Sequence, residues 1–162
     1  MPGKNWRAGV LDANLSGCLL SLQAIRYQTS NRIRMETEAV IAILKRCTDD
    51  WILIGSEVIE FEIAGISDEE RRRHVASLMQ FAREQVNLDQ DLLTRARSFH
   101  EQGMDTFDSL HIASAERAGA VFLTTDDTLI KVIKKHADKI SVEPKNPVQW
   151  FMEVTTDGCK DA

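Results

Sequence analysis

Four carboxylates far apart in the chain, Asp12, Glu62, Asp108 and Asp126, have the residue type and the placement to hold one divalent metal ion. Asp12, Asp108 and Asp126 each fall at the edge of an apolar or helical segment, and Glu62 lies on a short helix between them. A hard divalent cation prefers oxygen donors, and carboxylates supply them while leaving coordination positions for water and a phosphate oxygen. Water on such an ion is easier to deprotonate, and a second ion can stabilise the leaving oxygen of an in-line displacement at phosphorus. The competing account of these four acids is an assortment of helix caps and surface charges.

The elements that must bring these acids together can be read from the apolar pattern. Val10-Leu11-Asp12, Trp51 to Ile54 and Val121-Phe122-Leu123 are short apolar runs, each followed by polar or helical sequence. Acids just past strand ends suggest the ligand edge of an open parallel sheet, where successive crossovers diverge. From Arg32 to Cys47 the residues Ile33, Ala39, Val40, Ile43, Leu44 and Cys47 form one helical stripe. Ser67 with Glu70 makes a capping box for a helix whose face carries Val75, Leu78, Met79 and Ala82. Its charged run from Glu69 to Arg73 reads as solvated surface.

Asp89 caps a helix with Leu92, Leu93, Ala96 and Phe99 that ends near Gly103. Another helix runs from about Thr106 to just before Gly119 and carries Asp108 on its first turn. A last crossover helix starts at Asp126 or Asp127, includes Leu129, Val132 and Ile133, and precedes the short run Ile140-Ser141-Val142. The order is that of a helix-rich α/β protein. Residues 1–154 read as a single domain and 155–162 as a flexible tail.

With 162 residues, 43% of them hydrophobic, the chain can bury a core of its own. It has no apolar stretch near the roughly 20 residues that cross a bilayer, and its amino terminus lacks the apolar region of a secretion signal. A soluble, cytoplasmic protein without a membrane partner is expected. Cys18, Cys47 and Cys159 form no C-x-x-C pair, which suggests neither a disulfide framework nor a zinc-thiolate site. The net charge of −5 argues against a broad basic face for nucleic acid. It leaves room for a nuclease whose clustered acids are neutralised by metal.

Four motifs in order, Leu11-Asp12-Ala13-Asn14, Ser56-Glu57-Val58-Ile59-Glu60-Phe61-Glu62-Ile63, Phe107-Asp108-Ser109-Leu110-His111-Ile112-Ala113 and Leu123-Thr124-Thr125-Asp126-Asp127, resemble a PIN domain. The resemblance spans roughly Gly9 to Phe151, and Asn146-Pro147 before Trp150-Phe151 is similar to the family's terminal strand region. It implies a three-layer α/β/α sandwich around a mostly parallel sheet, with acids that bind Mg²⁺ or Mn²⁺ and cut RNA to a 5′-phosphate and a 3′-hydroxyl. Many bacterial members are the toxin of a VapBC-type pair, so the resemblance also implies a small antitoxin partner and a homodimer.

Asp12 matches the family's first acid, Asp108 its third and Asp126 its fourth. Glu62 is taken as the second on its Phe-Glu-Ile context, with Glu60 as the fallback. Asn14 either orients Asp12 or shapes a turn, and Thr124 either braces the site or serves only the local backbone. Asp127 is either a further metal ligand or a helix cap. His111, three residues after Asp108, is read as packing or as a hydrogen-bonding support rather than as a catalyst. The sequence departs from the family between Leu15 and Tyr27, which is longer and more apolar than the usual polar loop. Two other readings stay open: a non-catalytic PIN-like module that binds RNA or protein, and a phosphoacceptor α/β protein, against whose phosphatase form Asn14 speaks.

Overall fold

The computed structural model describes residues 7–11 and 31–157. Asp12, Asn14 and the segment from Leu15 to Tyr27 lie outside them. Five strands, β1 (Arg7–Leu11), β2 (Ile52–Ser56), β3 (Ala82–Val86), β4 (Val121–Leu123) and β5 (Pro144–Lys145), form one sheet in the order β3-β2-β1-β4-β5. Every pairing is parallel, with Ala8 opposite both Leu53 and Val121 and Leu11 opposite Leu123. Parallel neighbours need crossovers, and the helices supply them. They are α1 (Asn31–Cys47), α2 (Glu57–Ala64), α3 (Glu69–Met79), α4 (Gln90–His100), α5 (Thr106–Ala118), α6 (Asp127–Lys135) and, after the last strand, α7 (Pro147–Asp157).

Both faces of the sheet are covered, which makes the three-layer α/β/α sandwich expected from the sequence. Consecutive strand residues point to opposite faces, and the core divides accordingly. Ile54 and Phe122 pack with Ile59, Phe99, Ile112 and Ile133, under α2, α4, α5 and α6. Leu53 and Leu123 pack with Val40, Ile43, Cys47 and Trp150, under α1 and α7. In the second cluster Trp51 lies 4.9 Å from the Trp150 ring and 6.3 Å from that of Phe151. Burial there pushes the Cys47 thiol up to about 11, so the group stays protonated at neutral pH.

Local chemistry sets the helix ends. Ser56, Asp68, Asp89, Asp105 and Asp126 each accept a backbone N–H from the first turn that follows, and Gly119 ends α5 in the left-handed conformation at φ 59°. Asn146 accepts from Val148 N at 2.9 Å ahead of Pro147, a good pairing of cap and first helical residue. Three sequence expectations are corrected here. The cap of α3 is Asp68 rather than Ser67, because its carboxylate reaches Arg71 N at 3.0 Å. Ala82 opens strand β3 instead of extending the apolar face of α3. The last strand is Pro144–Lys145, not Ile140-Ser141-Val142, and Trp150-Phe151 belong to α7, which continues to Asp157. No helix among the described residues is long and apolar enough to cross a membrane.

Candidate functional site

The strand order reverses at β1: β2 and β3 lie on one side, β4 and β5 on the other. Crossovers leaving neighbouring strands in opposite directions open a crevice at the carboxyl ends, between β1 and β4. Asp126 stands three residues past the end of β4, at the start of α6. Because β4 is parallel to its neighbours, α5 must carry the chain back to the opposite edge before it, which puts the first turn of α5, with Asp108, at the carboxyl edge. The helix α2 starts there too, directly from the end of β2. Asp12 is the next residue in the chain after β1 but lies outside the described residues, as does Asn14.

Glu62 faces α5. Its Oε2 lies 2.7 Å from His111 Nε2, with His111 1% exposed and Glu62 19% exposed at the side chain. An ionised carboxylate only accepts hydrogen bonds, so Nε2 carries the proton and donates it. The other ring nitrogen, Nδ1, is buried and meets no partner among the described residues, which leaves Glu62 as the ring's polar anchor there. Glu60, the alternative second acid, is turned elsewhere: its Oε1 accepts from Gln85 Nε2 on β3 at 2.9 Å. Glu57 accepts from Leu88 N. Of the three glutamates of α2, Glu62 is thus the one held against the helix that bears Asp108. Asp108 and His111 are one turn apart on α5, and Asp108 is half-buried.

Asp126 is a helix cap as well as a candidate ligand. Its Oδ1 accepts from Thr128 N at 2.8 Å and from Leu129 N at 3.1 Å. Thr124 is fully buried, and its hydroxyl accepts from Asp126 N at 3.1 Å, so it fixes the turn on which Asp126 stands. Asp127 is not the cap. Both its oxygens are engaged by Arg32, at 2.7 and 2.9 Å, and this guanidinium holds its carboxyl below the ordinary carboxylate range. Arg32 also donates to Thr125 O at 3.3 Å and, through Nε, to Glu36 at 2.9 Å. Glu36 is 4% exposed and accepts a further bond from Asn146 Nδ2 at 2.8 Å. These side chains line a cleft of about 430 Å³ together with Met35 and Gln149.

The sequence reading did not include Arg32, Glu36 and Asn146 in the site. The i,i+4 spacing of Arg32 and Glu36 was a visible signal for their pairing. The contact from Arg32 to Asp127 crosses 95 residues and had none.

Among the described residues, no three acidic, histidine or cysteine side chains close around a single point. The donors at this edge fit a hard divalent cation in kind, since Glu62, Asp108 and Asp126 are all carboxylates and none of the three cysteines neighbours them in sequence. Glu62 is moreover held by a buried histidine that leaves its Oε1 for another partner, the kind of outer support that metal-binding carboxylates commonly have.

A PIN domain family model matches residues 24–135. Among solved structures, the chain is similar to the crystal structure of VapBC2 from Rickettsia felis bound to a DNA fragment from their promoter. The two superpose with a TM-score of 0.55 at 11% identity, over 86% of this chain and 98% of that one, a likeness of fold. No curated protein matches the sequence.

Proposed function

The chain belongs to the PIN domain family, and from that premise we propose that it is a Mg²⁺- or Mn²⁺-dependent endoribonuclease, the toxin of a type II toxin–antitoxin pair. What supports this reading is the Glu62–His111 contact, which joins α2 to the helix α5 that bears Asp108, while Asp126 opens α6 just past the end of β4. Asp12, Glu62, Asp108 and Asp126 are the proposed ligands. The divalent ion, when bound, supplies neutralisation of the phosphate and activation of a water for in-line hydrolysis.

The residues of the chain have separable parts in this. Asp12, Glu62, Asp108 and Asp126 bind the ion and set its position relative to the phosphodiester. Thr124 fixes the backbone under Asp126, and His111 fixes the Glu62 carboxylate. Asp127 anchors Arg32 at the rim of the site, with both its oxygens used. Asn14 is proposed to support Asp12. The likeness to a VapBC2 structure supports an antitoxin as the protein partner, and a homodimer and a cytoplasmic setting are proposed with it.

The test is cleavage of single-stranded RNA by the purified protein in Mn²⁺, with and without excess chelator, alongside Asp12→Asn, Glu62→Gln and Asp108→Asn. Activity is expected to need metal and to fall at least a hundredfold in each variant. Wild-type cleavage that persists in chelator would remove the mechanism, and tight RNA binding without any cleavage would turn the reading to a non-catalytic module.

A further inference from the structure

Helix α6 carries charge opposite in sign to that of the chain as a whole. From Thr128 to Ala137 the sequence has Lys131, Lys134 and Lys135 and no acid, and Asp138 just beyond is offset by Lys139, in a chain of net charge −5. The three lysines stand three and four residues apart and are exposed, so they share the outer face of α6, opposite the buried Leu129 and Ile133. None of their ammonium groups meets a carboxylate at ion-pair distance among the described residues, whereas Arg32, Arg95 and Arg117 are each engaged by an acid. Asp127, one turn before Lys131, is already held by Arg32 through both its oxygens. A helix C-terminus favours cations, which accounts for Lys134 and Lys135 in the last turn but not for Lys131.

We infer that the outer face of α6 is the track for the phosphate backbone of the RNA substrate, an inference that rests on the nuclease reading. The helix begins at Asp126, a proposed metal ligand that caps it through Thr128 N and Leu129 N. At the α-helical rise, Lys131 and Lys135 stand about 8 and 14 Å along the axis from that acid. A strand lying on the lysines is therefore led to the carboxyl edge of the sheet. The surface chemistry favours a phosphate backbone over an acidic protein. A protein contact is built around an apolar centre from which lysine is depleted, and none of the large exposed apolar side chains of the described surface lies on α6. A backbone of phosphates needs no such centre, and lysine meets it as a point charge. Because phosphates carry no sequence, the track supplies affinity and orientation and leaves the choice of cleavage site to other contacts. In an acidic chain this narrow stripe also steers the approaching strand to one side of the molecule.

The test is fluorescence anisotropy of a labelled single-stranded oligoribonucleotide in chelator over a salt series, with cleavage in Mn²⁺ followed alongside. It compares wild type, the triple variant Lys131→Gln, Lys134→Gln, Lys135→Gln and the charge-keeping triple variant Lys131→Arg, Lys134→Arg, Lys135→Arg. The glutamine variant is expected to bind roughly a hundredfold more weakly at about 0.1 M salt, with a salt slope smaller by about 2, as the loss of three phosphate contacts on a single strand requires. The loss should be equal for strands of different sequence, and the arginine variant should bind as wild type does. Unchanged affinity and slope in the glutamine variant overturn the track, and so does a wild type whose binding of the single strand is insensitive to salt. A loss confined to duplex DNA or to a protein partner, with the single strand bound as before, assigns the face to that ligand and overturns the proposal. The expected losses without cleavage by wild type in any metal overturn the nuclease reading and leave the track standing. Cleavage that the glutamines leave untouched in both KM and salt dependence overturns the track and leaves the nuclease reading.

Discussion

His111 holds Glu62 from inside the protein: its Nε2 lies 2.7 Å from the Glu62 carboxylate, and its ring is 1% exposed. An acid supported in this way reaches the site already oriented, which lowers the entropy lost on gathering ligands around an ion. His111→Ala is expected to weaken Mn²⁺ binding roughly 10- to 100-fold, and His111→Gln, which keeps a side-chain N–H donor, to recover part of it. Calorimetric titration of Mn²⁺ into the folded variants measures this. Equal affinity in wild type and His111→Ala would remove the positioning role.

Asp126 caps α6, and substitution can separate that duty from the metal binding proposed for it. Asparagine retains an oxygen for Thr128 N and Leu129 N, whereas alanine leaves both without a side-chain acceptor. Asp126→Asn should lose metal-dependent cleavage and keep its melting temperature. Asp126→Ala should lose both, at about 1 kcal/mol of stability. Full cleavage by Asp126→Asn would leave Asp126 as a cap alone.

Arg32 and Asp127 form an ion pair whose two members are not equivalent. Removing Asp127 leaves Arg32 its bond to Glu36, whereas removing Arg32 takes a guanidinium from the nearly buried Glu36 carboxylate, to which Asn146 also donates. Arg32→Ala is expected to cost roughly 2 kcal/mol, the range for a hydrogen bond to a charged group, with Asp127→Ala closer to wild type. Urea denaturation of the two variants checks the order, and a larger loss in Asp127→Ala would show that the pair matters for itself.

Acid should act partly through Glu116. This carboxyl takes a two-pronged contact from Arg95, at 2.6 and 2.8 Å, and a backbone bond from Ser141 at 3.1 Å. The Arg95 hydrogen bond, first among the causes, holds it below its ordinary 4.5. A depressed folded-state value means that the stabilisation is complete above pH 4.5 and is lost as the pH falls through the lower folded value. Glu116→Gln should lower Tm by roughly 2–4 °C at neutral pH, as expected for about 1 kcal/mol in a chain of this size. It should also flatten the fall in Tm below pH 4.5. Parallel acid limbs for wild type and variant would exclude this contribution.

The parts of the fold legible in the sequence were those whose signals are local. The stripe from Ile33 to Cys47 gave α1, and Asp89 and Gly119 marked helix ends through their own chemistry. The strand β3 was hidden because its residues, Ala82-Arg83-Glu84-Gln85-Val86, lie at a sheet edge and are mostly polar, so pairing with β2 rather than burial makes the strand. Ile140 and Val142 read as a strand because they are buried and apolar, yet the ladder to β4 is made by Pro144 and Lys145, where pattern is weakest.

The proposed acids stood in recognisable motifs, but the direction in which Glu60 and Glu62 each turn on α2 was not legible in the sequence. That is fixed by His111 and Gln85, partners on other elements. Arg32, which takes up both oxygens of Asp127, belongs to the same class of unreadable long-range contacts.

The two-residue strand β5 has a consequence for assembly. Phe122 N and Thr124 N donate to Glu143 O and Lys145 O, so the groups of the intervening Pro144 face away from the sheet, and proline has no N–H to offer there. Lys145 adds a charge on the same margin, shared with Glu143 and Glu153. An incoming peptide would find no ladder to extend along this border, so recruitment by strand addition is closed off and any neighbour arriving on that flank must recognise side chains.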